Sequence, residues 1–228
     1  MQPDPNASAL NPLPPVVWAL ALPIIAMEVV LGAGAAGLVG GPSAVGWRLE
    51  AIERFGFSGP VLEWMIARGT WPPEHVLRFV SYLFVHASFT HAIFVTVFLL
   101  ALGKMVGEIF RAWAVLLLFF ASGVAGALAY GLLLDDAMPL IGGFPAVYGL
   151  IGAYTFVMWV RLGALGESQY RAFTLIGVLM GLQLVFGLFF GAGNDWLADL
   201  TGFCTGFVLS FVVSPGGWQR VLARLRQR

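Results

Sequence analysis

The chain has 228 residues, 59% of them hydrophobic and 11% charged, with a formal net charge of zero. With a mean hydropathy of +0.87, this composition excludes an ordinary soluble domain and points to a bilayer. Nucleic acid is excluded as a partner as well, because no surplus of basic residues could neutralise a run of phosphates.

Residues 1–14, MQPDPNASALNPLP, contain no Lys or Arg. They lack the basic start of a secretory signal and the Arg-rich character of a mitochondrial presequence, so a short disordered leader is expected. A single membrane domain should follow over 15–214, and a basic tail over 215–228. A span needs roughly 20 mainly apolar residues, and six such stretches lie near 15–38, 82–108, 112–134, 144–161, 170–192 and 195–214. The expected fold is therefore all-α and polytopic, a bundle of six transmembrane helices.

The connection at about 41–78 is long, and its Arg48, Arg54, Arg68 and Arg78 are balanced by Glu50, Glu53, Glu63 and Glu74. Within PVLEWMIARG, Val61 with Met65 and Leu62 with Ile66 recur at helical spacing. That predicts a partly helical loop lying at the membrane interface, with Trp47, Trp64 and Trp71 at headgroup depth. Lys104 and Arg111 flank the second connection, Arg161 and Arg171 the fourth, and four Arg residues occupy the tail, whereas Asp135, Asp136 and Asp195 mark the third and fifth. The excess of Lys and Arg in cytoplasmic loops then places both termini in the cytoplasm. Arg outnumbers Lys eleven to one amid abundant Gly and Ala, a bias that suggests a GC-rich bacterial genome and an inner membrane.

Small residues stand where helices must approach closely: Gly123 and Gly126, Gly149 and Gly152, Gly202 and Gly206. Without a hydrophobic drive between helices in lipid, such positions let backbones touch. They predict tight packing of the fourth helix on the sixth.

Ionisable side chains inside spans are costly and require partners. Glu28, His86, His91, Glu108 and Asp199 are the candidates, and Glu28 and Glu108 are read as structural hydrogen-bonding groups. His86 and His91 lie five apart, about 500° of helical turn, so they do not share the narrow face of an i,i+4 metal pair. Cys204 is the only cysteine. Neither a metal nor a cofactor is expected.

HVLRFVSYLFVHASFTHAIF at 75–94 resembles the rhomboid intramembrane serine proteases, in which an Arg, a His and a second His five residues later lead into the second span. LGKMVGE at 102–108, VYGLIG at 147–152 and ADLTGFCTG at 198–206 are similar to the end of that helix, the helix after the nucleophile, and the Ala-His-x-x-Gly-x-x-x-Gly of the last span. The resemblance covers about residues 15–214 and implies a rhomboid-like six-helix bundle.

The same comparison exposes departures. Where a rhomboid has Gly-x-Ser-Gly, this chain has Gly142-Gly143-Phe144-Pro145, so Phe144 stands at the nucleophile position. Asp199 replaces the basic His, and Val95 replaces the Asn that stabilises the oxyanion; His91 is retained. Phenylalanine offers neither proton nor lone pair for acyl transfer, and loss of one oxyanion donor alone costs about 10²–10³ in rate. Asp199 is expected to face Tyr148, either hydrogen-bonded or paired with His91. His86, His91, Phe144, Tyr148 and Asp199 form the remnant site.

These readings lead to the expectation of a rhomboid pseudoprotease with no enzymatic activity. Its partners would be membrane lipid and the transmembrane helices of client proteins, bound for quality control, assembly or retention. An active protease using unconventional residues is the alternative. A small transporter is a third reading, which Gln183 and Glu28 keep open but against which no inverted repeat, broken-helix pair or file of polar residues is present.

Overall fold

We describe a computed structural model that covers residues 12–190 and 193–216. The first eleven residues of the expected leader and residues 217–228 of the tail, with its four arginines, lie outside the described residues.

Among the described residues, five helices of at least 18 residues are apolar enough to cross a membrane: α1 (Pro15–Ala35), α5 (Phe89–Gly107), α6 (Ala112–Leu133), α7 (Phe144–Ala164) and α9 (Trp196–Val213). A further apolar helix, α8 (Thr174–Phe190), has 17 residues. At 1.5 Å per residue it is about 25 Å long, at the short end of what spans hydrocarbon. The described residues contain no strand beyond an isolated bridge between Phe57 and Leu140.

The long first connection holds three short helices, α2 (Trp47–Phe55), α3 (Gly59–Arg68) and α4 (Pro73–Ser81), rather than the single one that its spacing suggests. Ser58 starts α3 by accepting the Val61 N–H at 3.4 Å, and Gly69, at φ 63°, ends it in the left-handed region that favours glycine. Leu62 and Met65 of α3 are buried while Trp64 and, beyond its end, Trp71 are exposed. Trp47 departs from the expectation of headgroup depth. Its ring packs over Gly34 of α1, where an added Cβ would sit 2.8 Å from it.

The second span also begins later than expected. Tyr82–Phe84 form a 3-10 turn, and Ser88 then caps α5 by accepting the His91 N–H at 3.2 Å. A short-range cap thus overrides the apolar run at 82–85. His86 lies in the link before the helix, and His91 lies in its first turn.

α7 is the most enclosed of these five spans, and its most extensive interface is with α9. A Cβ on Gly206 would fall on the Gly149 backbone, one on Gly202 on the Pro145 backbone, and one on Gly152 on the carbonyl of Phe203. Gly149 also makes room for the Ser122 side chain of α6. The absent side chains bring two backbones together, so that dispersion contacts replace the hydrophobic drive that lipid does not supply. This seam buries the start of α7 in the centre of the bundle.

Candidate functional site

The N-terminal end of α7 is held by its neighbours on both sides. Phe57 and Leu140 exchange backbone hydrogen bonds of 3.0 and 2.8 Å, and Gly142 N–H donates to the Tyr82 carbonyl at 2.9 Å. Gly142 adopts φ 96°, and a Cβ there would approach the His91 ring to 2.6 Å. Glycine is therefore required twice over, for the backbone angle and for the closeness of His91. Pro145 follows in the first helical turn, where its missing N–H leaves no carbonyl unpaired.

Four of the five residues of the remnant site form one aromatic cluster. His86 and His91 meet edge to face with centroids 5.0 Å apart, His91 stacks on Phe144 at 5.2 Å and 17°, and Phe144 meets Tyr148 edge-on at 6.4 Å. Phe144 thus covers the face of the imidazole. Val95 is fully buried beside this cluster, its methyl 2.9 Å from where a Cβ on Gly143 would stand. His86 is 1% exposed, and its Nε2 takes the Gly143 N–H at 3.4 Å. A nitrogen that accepts carries no proton, which puts the ring proton on Nδ1.

Asp199 joins the cluster through a residue that the sequence did not single out as part of the site. Gln183 of α8 donates from Nε2 to Asp199 Oδ2 at 2.6 Å, and its Oε1 accepts from the Tyr148 hydroxyl at 3.4 Å. Asp199 does not pair with His91. The buried His91 Nε2 and Asp199 Oδ1 have no hydrogen-bond partner among the described residues. Sequence spacing offers no cue to Gln183, since its partners come from two other helices; the signal is an isolated amide in an apolar segment, whose burial in lipid demands a partner.

A cavity of about 400 Å³ opens beside this cluster, lined by Phe94 and Phe98 of α5, Phe144 and Tyr148 of α7, and Leu182 and Gln183 of α8. Phe94 and Leu182 are exposed at its rim.

Glu28 is buried in α1 and is bound in two places by the Arg48 guanidinium, at 2.5 and 3.0 Å. His75 lies on α4 with its ring edge-on to Trp64, 6.0 Å away.

A family model described as "Rhomboid domain" matches residues 73–216, well over half of the chain. The chain is 28% identical over 153 residues to "Putative rhomboid protease YdcA" of Bacillus subtilis (strain 168), a match covering 64% of this chain and 69% of that protein. It is 29% identical over 135 residues to "Rhomboid-like protease 3" of Toxoplasma gondii, covering 58% of this chain and 49% of the relative.

These names correct one expectation. The chain was expected from its residues not to be an enzyme, but both relatives are named as proteases. The physical reason for the error is one of scope. A benzyl ring at position 144 removes one nucleophile at one position, which is a narrower statement than the loss of hydrolysis. The matched segment begins in α4 and runs through the seam of α7 and α9, taking in each residue of the cluster, and on that span the chain belongs to the rhomboid family of multi-pass membrane proteins.

Proposed function

We propose that the protein binds transmembrane segments of client membrane proteins in the cavity between α5, α7 and α8, in the service of quality control, assembly or retention. The observation that carries this reading is the cavity itself. Its walls are apolar and aromatic, its rim is exposed at Phe94 and Leu182, and its inner end offers the Tyr148 hydroxyl and the Gln183 amide. An apolar helix entering from lipid would gain dispersion contacts with the aromatic walls. A polar group on that helix would find hydrogen-bond partners within. The basic flanks of the second and fourth connections support cytoplasmic termini, and the excess of Arg over Lys amid abundant Gly and Ala supports a bacterial inner membrane.

A photo-crosslinking residue at position 98 or 182, in the protein reconstituted in vesicles, tests this. Crosslinks to single-span peptides from both positions, and none from Leu132 on the exposed side of α6, are the expected result. Lipid adducts alone from all three positions would overturn it.

The second reading is peptide-bond hydrolysis, favoured by the relatives that are named proteases. The same vesicles answer it. Mass spectrometry of the added peptides detects cleavage, and a serine-reactive phosphonate reports any activated hydroxyl elsewhere in the chain. Cleavage that is lost with a point change in this chain establishes the second reading.

A further inference from the structure

We infer that Arg48 is a positioning residue for the site, tying the first connection to the segment that carries His86. Its Nη1 donates to Glu28 Oε2 at 3.0 Å and to the His86 carbonyl at 2.9 Å, while Nη2 holds Glu28 Oε1 at 2.5 Å. One planar guanidinium therefore joins α1, α2 and the link before α5. Its fixed fork suits it to bind a carboxylate on two nitrogens and still aim an N–H at a carbonyl.

The two halves of this contact have different consequences. Glu28 also borders an apolar cavity of about 520 Å³ between α1 and α5. Without a cation its carboxylate would face hydrocarbon, so the ion pair answers the cost of a buried charge. The bond to the His86 carbonyl is not needed for charge balance, which Glu28 supplies; it gives a donor to a backbone acceptor in the link before α5. It acts on His86. That residue has its carbonyl held by Arg48 and its Nε2 engaged by Gly143, and its ring edge meets His91, which stacks on Phe144. From α1 to the start of α7 the contacts are continuous. Docking of α2 on α1 thereby sets the orientation of the His86 imidazole and, through it, the turn at Gly142-Gly143. The inference concerns the geometry of the site and holds whether the site binds or hydrolyses.

The test separates pairing from positioning in the full chain, labelled with ¹⁵N-histidine and held in lipid nanodiscs. The readout is the side-chain nitrogen signature of His86: one tautomer, with Nε2 as acceptor, in the wild type. The double variant Glu28→Leu/Arg48→Leu removes both charges, and exchanging a buried ion pair for apolar residues is often neutral or stabilising. It should keep its Tm and lose the single-tautomer signature. Arg48→Lys keeps the charge opposite Glu28, but its ammonium ends one bond short of Nη1 and lacks the fork, so it should keep most of the Tm and lose the signature. Glu28→Gln should lower Tm and leave the signature intact. An unchanged His86 signature in the Leu/Leu variant would overturn the inference. So would a signature in Arg48→Lys and Glu28→Gln that merely follows each variant's Tm. If the Leu/Leu variant does not fold, those two variants decide the matter by the same criterion.

Discussion

His91 and Phe144 stack with ring centroids 5.2 Å apart and planes 17° from parallel. The half-buried benzyl ring shields one face of the imidazole and forms part of the cavity wall at the same time. Phe144→Ala should cost about 1–3 kcal/mol, less than the roughly 3–5 kcal/mol of a fully buried ring, because part of Phe144 already faces the cavity. Phe144→Leu keeps much of the volume and loses the stacking, worth about 0.5–1.5 kcal/mol. Thermal unfolding in detergent should rank the three proteins wild type, Leu, Ala. Equal Tm values would mean that the stack is incidental.

The Gln183 bridge to Asp199 makes a second prediction. Gln183→Leu leaves a buried carboxyl without its 2.6 Å donor, and an unsatisfied buried group costs about 1–3 kcal/mol. Asp199→Leu should show a loss of the same sign. The double variant removes both polar groups, so its loss should be smaller than the sum of the two single losses. A double-mutant cycle with no coupling would show that the two residues act independently, and an Asp199→Leu protein with unchanged folding and binding would leave Asp199 without a role.

The legibility of these features follows the range of the forces behind them. Spans were readable because apolar length is a local property, and α1, α6, α7 and α9 lie within a few residues of the stretches that hydropathy marks. The meeting of Phe144 with His91 was readable only through a family resemblance, since nothing in the spacing brings α5 to α7. Two residues were missed for the same reason. Gln183 pairs with Asp199 across the connection between α8 and α9, and Arg48 finds Glu28 twenty residues back in another element. Among four arginines balanced by four glutamates, composition cannot say which arginine enters the protein. The late start of α5 was missed in the opposite direction, because a single Ser88 cap ended an apolar run that hydropathy alone would have continued.

Glycine substitutions along two helices should have opposite signs. A Cβ on Gly206 would fall on the backbone of α7, which cannot yield as a flexible side chain can. Gly206→Ala should therefore cost at least the roughly 1–3 kcal/mol of overpacking. Gly177 and Gly181 of α8 have nothing within 4 Å of an added Cβ. Alanine there should be neutral, or stabilise the helix by up to about 1 kcal/mol through lower chain entropy. Unfolding by a denaturing detergent distinguishes the two classes, and destabilisation at Gly177 or Gly181 comparable to that at Gly206 would place an unseen neighbour on α8.

Asp136, in the loop between α6 and α7 and outside the spans, makes the last prediction. Its carboxylate accepts the Met138 N–H at 2.9 Å and the Asn194 side-chain amide at 3.0 Å. The Met138 bond, followed by that from Asn194, holds its pKa below the usual carboxylate value. A depressed folded-state pKa contributes stability that is complete above the unfolded value, about 3.9, and is lost as pH falls through the folded value. The Tm of the wild type should therefore fall more steeply than that of Asp136→Asn as pH drops from about 5 to about 2, and the two curves should run parallel above pH ~5. Asparagine keeps an oxygen for Met138 but puts an NH2 where Oδ2 accepts from Asn194, a loss that does not vary with pH, so the difference in slope and not the offset reports the titration. Curves that stay parallel down to the lowest pH would show that the Asp136 carboxylate, with its bonds from Met138 and Asn194, is not coupled to folding.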